Sequence, residues 1–177
     1  SYTASLYMDK TSDTGYIEGS FTYGISENAT SRIINSADLD RTLKGEYDSQ
    51  SISVKLGGGL PYEASNGAFV TPFASVTGTL IEADAYTETS NTAADELRLR
   101  VDQDDINSIV GTLGIKAHMD TGAGIPMISL AVNNEFGDNK MKQTNTFQGG
   151  GNAFKTSTAI EEMSATLGVG YTFTNGN

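Results

Sequence analysis

Residues 163–173, MSATLGVGYTF, alternate without a break between apolar residues and small or polar ones. The apolar positions are Met163, Ala165, Leu167, Val169, Tyr171 and Phe173. Because successive side chains of a β-strand point to opposite faces, this period of two predicts a strand with one apolar face. The other face carries only serine, threonine and glycine. The segment is about as long as the ~9–11 residues that a tilted strand needs to cross a bilayer.

Six further segments repeat this alternation, so the sequence predicts seven strands. The six lie at about residues 2–9, 17–25, 51–62, 70–80, 109–119 and 128–135. Pro72 lies inside one of them, and because proline cannot donate a ladder hydrogen bond, we expect a strand start or a distortion there. The run Gly57-Gly58-Gly59 predicts a place where a close neighbour or strong curvature excludes side chains.

The connections between the predicted strands alternate in length. Short connections at residues 10–13, 63–66 and 120–124 take turns with long ones at roughly 27–42, 84–105 and 137–159. A barrel that spans a bilayer gives this alternation, because its turns on one side are tight and its loops on the other can grow. A soluble sandwich also has alternating strands but no reason to sort its loops. We therefore predict an all-β fold, an antiparallel transmembrane β-barrel.

The two longest connections carry separate expectations. The connection at 137–159 is polar and glycine-rich, so we expect a flexible, protease-sensitive loop. The connection at 84–105 has ends that look like extended strands, so we expect it to stand up as a hairpin.

Composition narrows the classes of function. The chain has 177 residues, of which 37% are hydrophobic, a low value that fits a barrel with a polar inner face. The net charge is −11, and the acidic residues crowd the long connections, which we interpret as a solvated surface. Because such a surface repels nucleic acid, we predict no nucleic-acid partner. No run approaches the ~20 apolar residues of a transmembrane helix.

Residues suited to catalysis are few. The chain has no cysteine and one histidine, and it lacks GxSxG, HExxH and phosphate-loop patterns. The acidic run at residues 102–105 does not have the spacing of a calcium loop. We therefore predict no catalytic residue, no metal site, no cofactor and no enzyme activity.

Charged residues on the polar faces are the better functional candidates. They are Glu18, Lys55, Lys116, His118 and Glu135. Inside a barrel, charged groups must pair, meet water or contact a segment threaded through the lumen. Two interpretations stay open: these residues stabilise the wall by pairing with one another, or they contact such a segment.

Four stretches carry a family likeness. They are GYIEGSFTYG at 15–24, GEYDSQS at 45–51, GAFVTPFA at 67–74 and NNEFGD at 133–138. In this order and on these strands, they resemble motifs of the C-terminal translocator domain (β-domain) of bacterial autotransporters. The likeness covers nearly the whole chain and would explain Pro72.

This resemblance implies a barrel of twelve strands. Residues 1–177 would be a partial autotransporter β-barrel domain of about seven strands, with about three missing at the start and two at the end. It also implies a place in the bacterial outer membrane, with the long loops at the cell surface. The implied function is an outer-membrane translocator that anchors an N-terminal passenger and exports it to the cell surface. The implied partners are the chain's own passenger domain, outer-membrane lipid and lipopolysaccharide, and the barrel-assembly machinery.

Two other classes of function stay open. One is a porin-like or adhesin outer-membrane barrel whose external loops carry the function. The other, weaker one is a soluble β-sandwich that acts as a binding module.

Overall fold

The computed structural model of the chain describes residues 1–36, 39–92 and 95–173, and these form thirteen β-strands. In chain order they are β1 (Tyr2–Ser12), β2 (Gly15–Ser36), β3 (Leu39–Gly59), β4 (Tyr62–Glu63), β5 (Ala68–Ala83), β6 (Tyr86–Thr87), β7 (Thr89–Ser90), β8 (Leu99–Gln103), β9 (Ile106–Met119), β10 (Gly124–Glu135), β11 (Lys140–Phe147), β12 (Phe154–Ala159) and β13 (Met163–Phe173). Within the described ranges, no helix is long and apolar enough to span a membrane.

Seven long strands form one antiparallel sheet, here called the main sheet, in the order β1-β2-β3-β5-β9-β10-β13. Each long strand pairs with the long strand that precedes it along the chain. The short strands β4 and β7 pair with β5 and β3 at its margins. The sheet curls into a half-barrel, and the predicted all-β, seven-stranded antiparallel architecture is confirmed.

The two faces of the main sheet differ as the alternation predicts. Leu130 pairs with Leu167 across β10 and β13, and Leu6 pairs with Phe21 across β1 and β2, so apolar side chains share one face. Leu113 and Leu167 on this face are 68% and 70% exposed. On the central strands the polar side chains are mostly half-buried. The apolar face is therefore the outer, convex one, and the polar face is the inner one.

Among the described residues, the connections at one end of the main sheet, here called the turn end, are all short. The tight turns lie at residues 13–14, 64–67 and 120–123, close to the predicted positions. Pro72 lies inside β5, which pairs with β9 in unbroken register from Ala68 to Ile81. On the other side, β3 ends at Gly59, and the N–H of Leu60 donates to the Pro72 carbonyl at 3.1 Å, whereas Pro72 has no N–H to donate in return. The proline thus leaves a gap in the hydrogen bonding to β3, but the expected strand start or distortion of β5 is not seen.

The opposite end, here called the hairpin end, departs from the sequence-based expectations. The predicted loop at 27–42 is wrong, because β2 and β3 run through it as paired strands of 22 and 21 residues. Residues 26–36 of β2 and 39–48 of β3 continue past β1 and β5, and this part is here called the extension. At about 3.3 Å per residue, the extension rises roughly 35 Å. It has no long apolar face, so alternation of hydrophobicity gave no signal for it.

The expectation of a flexible loop at 137–159 is also wrong. Residues in this range form β11 and β12, which join β8 and β6 in a second sheet of order β12-β11-β8-β6, here called the accessory sheet. The segment at 84–105 supplies β6, β7 and β8, and its two ends pair antiparallel at Tyr86–Val101 and Thr87–Arg100, so the predicted pairing of these ends as a hairpin is confirmed. The hairpin is part of the accessory sheet, because β8 also pairs with β11. Two segments that are polar on their own are ordered by pairing with each other, a long-range contact that local sequence patterns do not reveal.

Candidate functional site

The five residues predicted to be functional candidates all lie on the polar face of the main sheet. Glu18 is on β2, Lys55 on β3, Lys116 and His118 on β9, and Glu135 at the end of β10. The strand register gives all five the same side as Ser53 and Thr112. Their position in the lumen of a closed barrel stays a prediction.

Glu18 and Lys55 neutralise each other. Lys55 Nζ donates to Glu18 Oε1 at 2.8 Å, and both side chains are partly exposed. A pair with this exposure contributes about 0–1 kcal/mol. Its main effect is to leave this part of the face without net charge.

Lys116 reaches across two intervening strands. Its Nζ donates to the Tyr16 hydroxyl at 3.0 Å and lies 4.3 Å from the centroid of the Tyr16 ring. β9 and β2 are three strand spacings apart, or roughly 14 Å on a flat sheet, so the contact depends on the curl of the sheet. No carboxylate of the described residues lies within 4.0 Å of this ammonium group. A tyrosine ring can stabilise such a cation through its π face.

The triple glycine makes room for Tyr16. A Cβ atom at Gly59 would lie 2.6 Å from Tyr16 Cε1, and one at Gly57 would lie 2.8 Å from Ser75 Cβ. The prediction that close neighbours exclude side chains from this run is therefore confirmed. The sequence did not reveal the role of Tyr16, although its side chain points to the same face of β2 as that of Glu18.

His118 belongs to an aromatic pair at the turn end. Its ring stacks on Phe69 of the neighbouring strand, with centroids 5.3 Å apart and planes 11° apart. The cross-strand register places the two residues directly opposite each other. This geometry is that of a wall residue and offers no base–nucleophile arrangement.

Glu135 joins the ends of β9 and β10. Its Oε2 accepts a hydrogen bond from Ser108 Oγ at 2.5 Å, and its Oε1 accepts from the backbone N–H groups of Ile109 and Gly137, both at 2.7 Å. Three donors occupy this carboxylate, so its evident role is to fix the hairpin end of these strands.

A second polar site, at the hairpin end, was not found from the sequence. Arg32 of β2 binds Glu88 through both carboxylate oxygens, at 3.0 Å from Nε and 2.5 Å from Nη2. Glu88 is only 4% exposed and also accepts the backbone N–H of Leu99 at 2.7 Å. Arg32 Nη2 further donates to the Leu97 carbonyl at 2.9 Å. The hydrogen bond with Glu88 raises the pKa of Arg32.

Asp95 lies beside this site. Its carboxylate accepts hydrogen bonds from the Ser90 hydroxyl at 2.6 Å and from the backbone N–H of Leu97 at 3.0 Å, and Arg41 lies 3.4 Å away. These two hydrogen bonds, the Ser90 one foremost, lower the pKa of Asp95 below its usual 3.8. Glu88 and Asp95 are both buried, so the interpretation of all these acids as a solvated surface is wrong for these two.

A small apolar core accompanies the two acids. Leu43 is completely buried, and Leu99 and Val101 of β8 are nearly so. The Tyr86 ring stacks on Tyr47 at 5.0 Å, and a Cβ at Gly45 would lie only 2.1 Å from Tyr86 Cε2. This core lies on the same side of β3 as the polar face of the main sheet. Leu43, Gly45 and Tyr47 are separated from Lys55 by even numbers of residues along the strand, so their side positions point to the same face as Lys55.

The described residues contain no cluster of three or more His, Asp or Glu side chains that could hold a metal ion. What the polar face offers is a surface of hydroxyl and glycine residues with few charges, of which Glu18 and Lys55 form an ion pair. Such a surface can contact water or a polypeptide.

Comparison with known proteins gives one result. The family model described as "Autotransporter beta-domain" matches residues 1–177. A search of curated proteins found no match. The family consists of translocator barrels of the bacterial outer membrane and is not a family of enzymes. With its half-barrel of antiparallel strands, apolar outside and polar inside, the chain belongs to the autotransporter β-domain family.

Proposed function

We propose that this barrel anchors an N-terminal passenger in the outer membrane and exports it to the cell surface through its lumen. The observation that carries the proposal is the polar face, which lies on the inner side of the curled sheet and carries hydroxyl and glycine residues along much of its length. The passenger enters the lumen from the turn end, in the periplasm, and emerges at the hairpin end.

The side chains of the polar face suit the passage of an unfolded chain. Ser53 and Thr79 share a hydrogen bond at 3.0 Å, and Thr112 donates to Asn133 at 2.9 Å. Hydroxyl groups with such partners gain little by binding a passing polypeptide. Glu18 and Lys55 neutralise each other, and the Lys116 ammonium group is held by the hydroxyl and the ring of Tyr16.

The proposed orientation rests on the asymmetry of the two ends. The extension and the accessory sheet form a folded body at one end, whereas the other end carries only tight turns. In outer-membrane barrels the short turns are periplasmic and the long loops are outside. In this orientation the apolar outer face contacts membrane lipid and lipopolysaccharide, and the barrel-assembly machinery inserts it.

A second candidate function is an adhesin-like barrel whose external body binds a target. The ordered accessory sheet with its own core favours it, because a barrel that serves only for export has no need for such a body. The two candidates differ in whether blocking the lumen reduces the display of a passenger on the cell surface.

The test is lumen blockage in the full-length protein. We expect Ser53→Trp, on the polar face, to reduce several-fold the amount of passenger that added protease reaches on intact cells. Val54→Trp, on the adjacent apolar face, is the matched control and should leave display unchanged. Heat-dependent migration in gels checks that both barrels fold. Equal display by two folded variants would contradict export through this lumen.

A further inference from the structure

The accessory sheet does not simply lengthen the wall. The segment that carries β6 and β7 meets the extension at Arg32, Leu43 and Tyr47, which face Glu88, Ser90 and the Tyr86 ring, respectively. All three point to the side of the polar face. At this edge, then, the accessory sheet lies inside the line of the wall, above the polar face.

The other edge of the accessory sheet is tied to the far side of the half-barrel. β11 and β12 form the connection between β10 and β13, whereas β6 and β8 belong to the connection between β5 and β9. The sheet therefore joins the inner side of β3 to strands three and four places further along the main sheet. At ~4.8 Å per strand, it is roughly 14 Å wide, comparable with the inside of a narrow barrel.

The β6 edge is held to the extension by a short backbone ladder and by side-chain contacts. In the ladder, β7, which follows β6, pairs with β3 at Leu43–Ser90 and Lys44–Thr89, and the N–H groups of Asp84 and Asn91 donate to carbonyls of β3. The side-chain contacts include the Tyr47–Tyr86 stack, the Arg32–Glu88 pair and the Arg41–Asp95 pair. In contrast, β2 and β3 are paired along their whole length. The junction at this edge therefore depends on its side chains, and the Arg32–Glu88 pair, which uses both carboxylate oxygens, lies at its centre.

We propose that the accessory sheet is a lid over the hairpin-end mouth of the barrel, and that the Arg32–Glu88 pair is the latch that holds its β6 edge shut. Loss of the latch lets this edge swing outward about its connections to β5 and β9 at residues 84–85 and 104–105. The proposal uses the external orientation proposed above but does not depend on passage of a passenger.

The test measures access to the lumen from outside, in the full-length protein on intact cells. Residues 1–177 contain no cysteine, so Ser51→Cys places one reporter in this part of the protein, on the polar face and four residues along β3 from Tyr47. The full-length protein without Ser51→Cys gives the background labelling. Cells are labelled with a small membrane-impermeant maleimide or with a bulky polyethylene-glycol maleimide. The ratio of the bulky rate to the small rate reports the width of the mouth and cancels the local reactivity of the thiol.

We expect the latch variant Arg32→Ala to raise this ratio about tenfold over the reporter alone. Arg100→Ala is the matched control, since Arg100 is exposed on β8 and its side chain makes no hydrogen bond or ion pair to the described residues. Tyr86→Ala tests the same edge without a change of charge, with the exposed Tyr62→Ala as its control. If heat-dependent gel migration shows that Arg32→Ala is misfolded, the comparison of Tyr86→Ala with Tyr62→Ala tests whether the β6 edge closes the mouth.

Two results would overturn the lid. One is rapid labelling of Ser51→Cys by the bulky reagent in the otherwise unchanged protein, as fast as that of Thr158→Cys on the exposed strand β12. The other is an equal ratio in the folded latch variant and its control. Failure of passenger display in the Ser53→Trp test would leave this result unaffected, so the two proposals fail separately.

Discussion

The main sheet and the hairpin-end body, which consists of the extension and the accessory sheet, follow opposite rules in the placement of their apolar side chains. On the main sheet, large apolar side chains such as Leu113, Leu130 and Val169 are exposed on one face. In the hairpin-end body, Leu43, Leu99 and Val101 are buried, and so are the carboxylates of Glu88 and Asp95. The difference shows which solvent each part meets. A wall in lipid turns its apolar side chains outward, whereas a body in water hides them and satisfies each buried polar group with partners.

The largest expected effect distinguishes buried from exposed apolar residues in the extension. Leu43 is 0% exposed, so Leu43→Ala should destabilise the hairpin-end body by about 2–5 kcal/mol through lost packing and a residual cavity. Ile33→Ala, at a position that is 69% exposed, should change its stability by less than ~0.5 kcal/mol. Hydrogen exchange of the extension amides measures both. Similar costs for the two variants would mean that this body has no water-type core.

The second effect tests the wall. Leu113→Arg, near the middle of β9 on the apolar face, should destabilise the barrel by about 2–4 kcal/mol in lipid. Thr112→Arg, one residue away on the polar face, should be far milder because that face meets water. Denaturant titration of the reconstituted protein gives the ranking. The reverse ranking would shift the assignment of the two faces by one residue.

A smaller effect concerns pH at the hairpin end. The pKa of Asp95 is lowered in the folded state, so its contribution to stability is present above 3.8 and is lost as the pH falls through the lowered pKa. Protease resistance of the accessory sheet should therefore drop below about pH 4. Asp95→Asn should remove this component of the pH dependence, and Asp102→Asn, an exposed position on β8, should retain it. Identical profiles for the two variants would rule out Asp95 as the group responsible.

The smallest effect belongs to the polar face. Because Glu18 and Lys55 are both partly exposed, Glu18→Gln should cost no more than about 1 kcal/mol. A double-mutant cycle with Lys55→Met isolates the pair from other changes. A coupling energy well above that value would mean that this part of the lumen is dry, contrary to a water-filled passage.

The sequence predicted the main sheet because lipid and water act on alternate residues of each strand. In segments such as 163–173, every residue follows this alternation. The tight turns at 64–67 and 120–123 were predicted because the connections there are short. The extension escaped detection because its inner face packs on the accessory sheet through few apolar residues, Leu43 among them, and its outer face meets no lipid. Its sequence therefore shows no long period of two in hydrophobicity, as residues such as Glu27 and Asn28 illustrate. Its threonine, isoleucine and tyrosine content was the available signal for strands.

The sequence predicted which face of the sheet each site residue occupies, but not its partners. The alternation along each strand placed the five candidates on one face, namely Glu18, Lys55, Lys116, His118 and Glu135. Their opposite charges suggested pairing among them. The actual partner of Lys116 is Tyr16, a hundred residues away in sequence, and that contact depends on the curl of the sheet. The Arg32–Glu88 pair likewise joins residues 56 apart in sequence and depends on the packing of the accessory sheet on the extension.

Protease mapping on intact cells tests the central claim most directly, namely that the apolar-faced sheet spans the membrane and the hairpin-end body lies outside. A nonspecific protease should cut first in the exposed turn at residues 149–152, between β11 and β12, and leave the turns at 64–67 and 120–123 intact. Mass spectrometry of the fragments identifies the cuts, and detergent-opened cells show that all three turns can be cleaved. Cleavage of intact cells at 64–67 or 120–123, with 149–152 protected, would contradict the account.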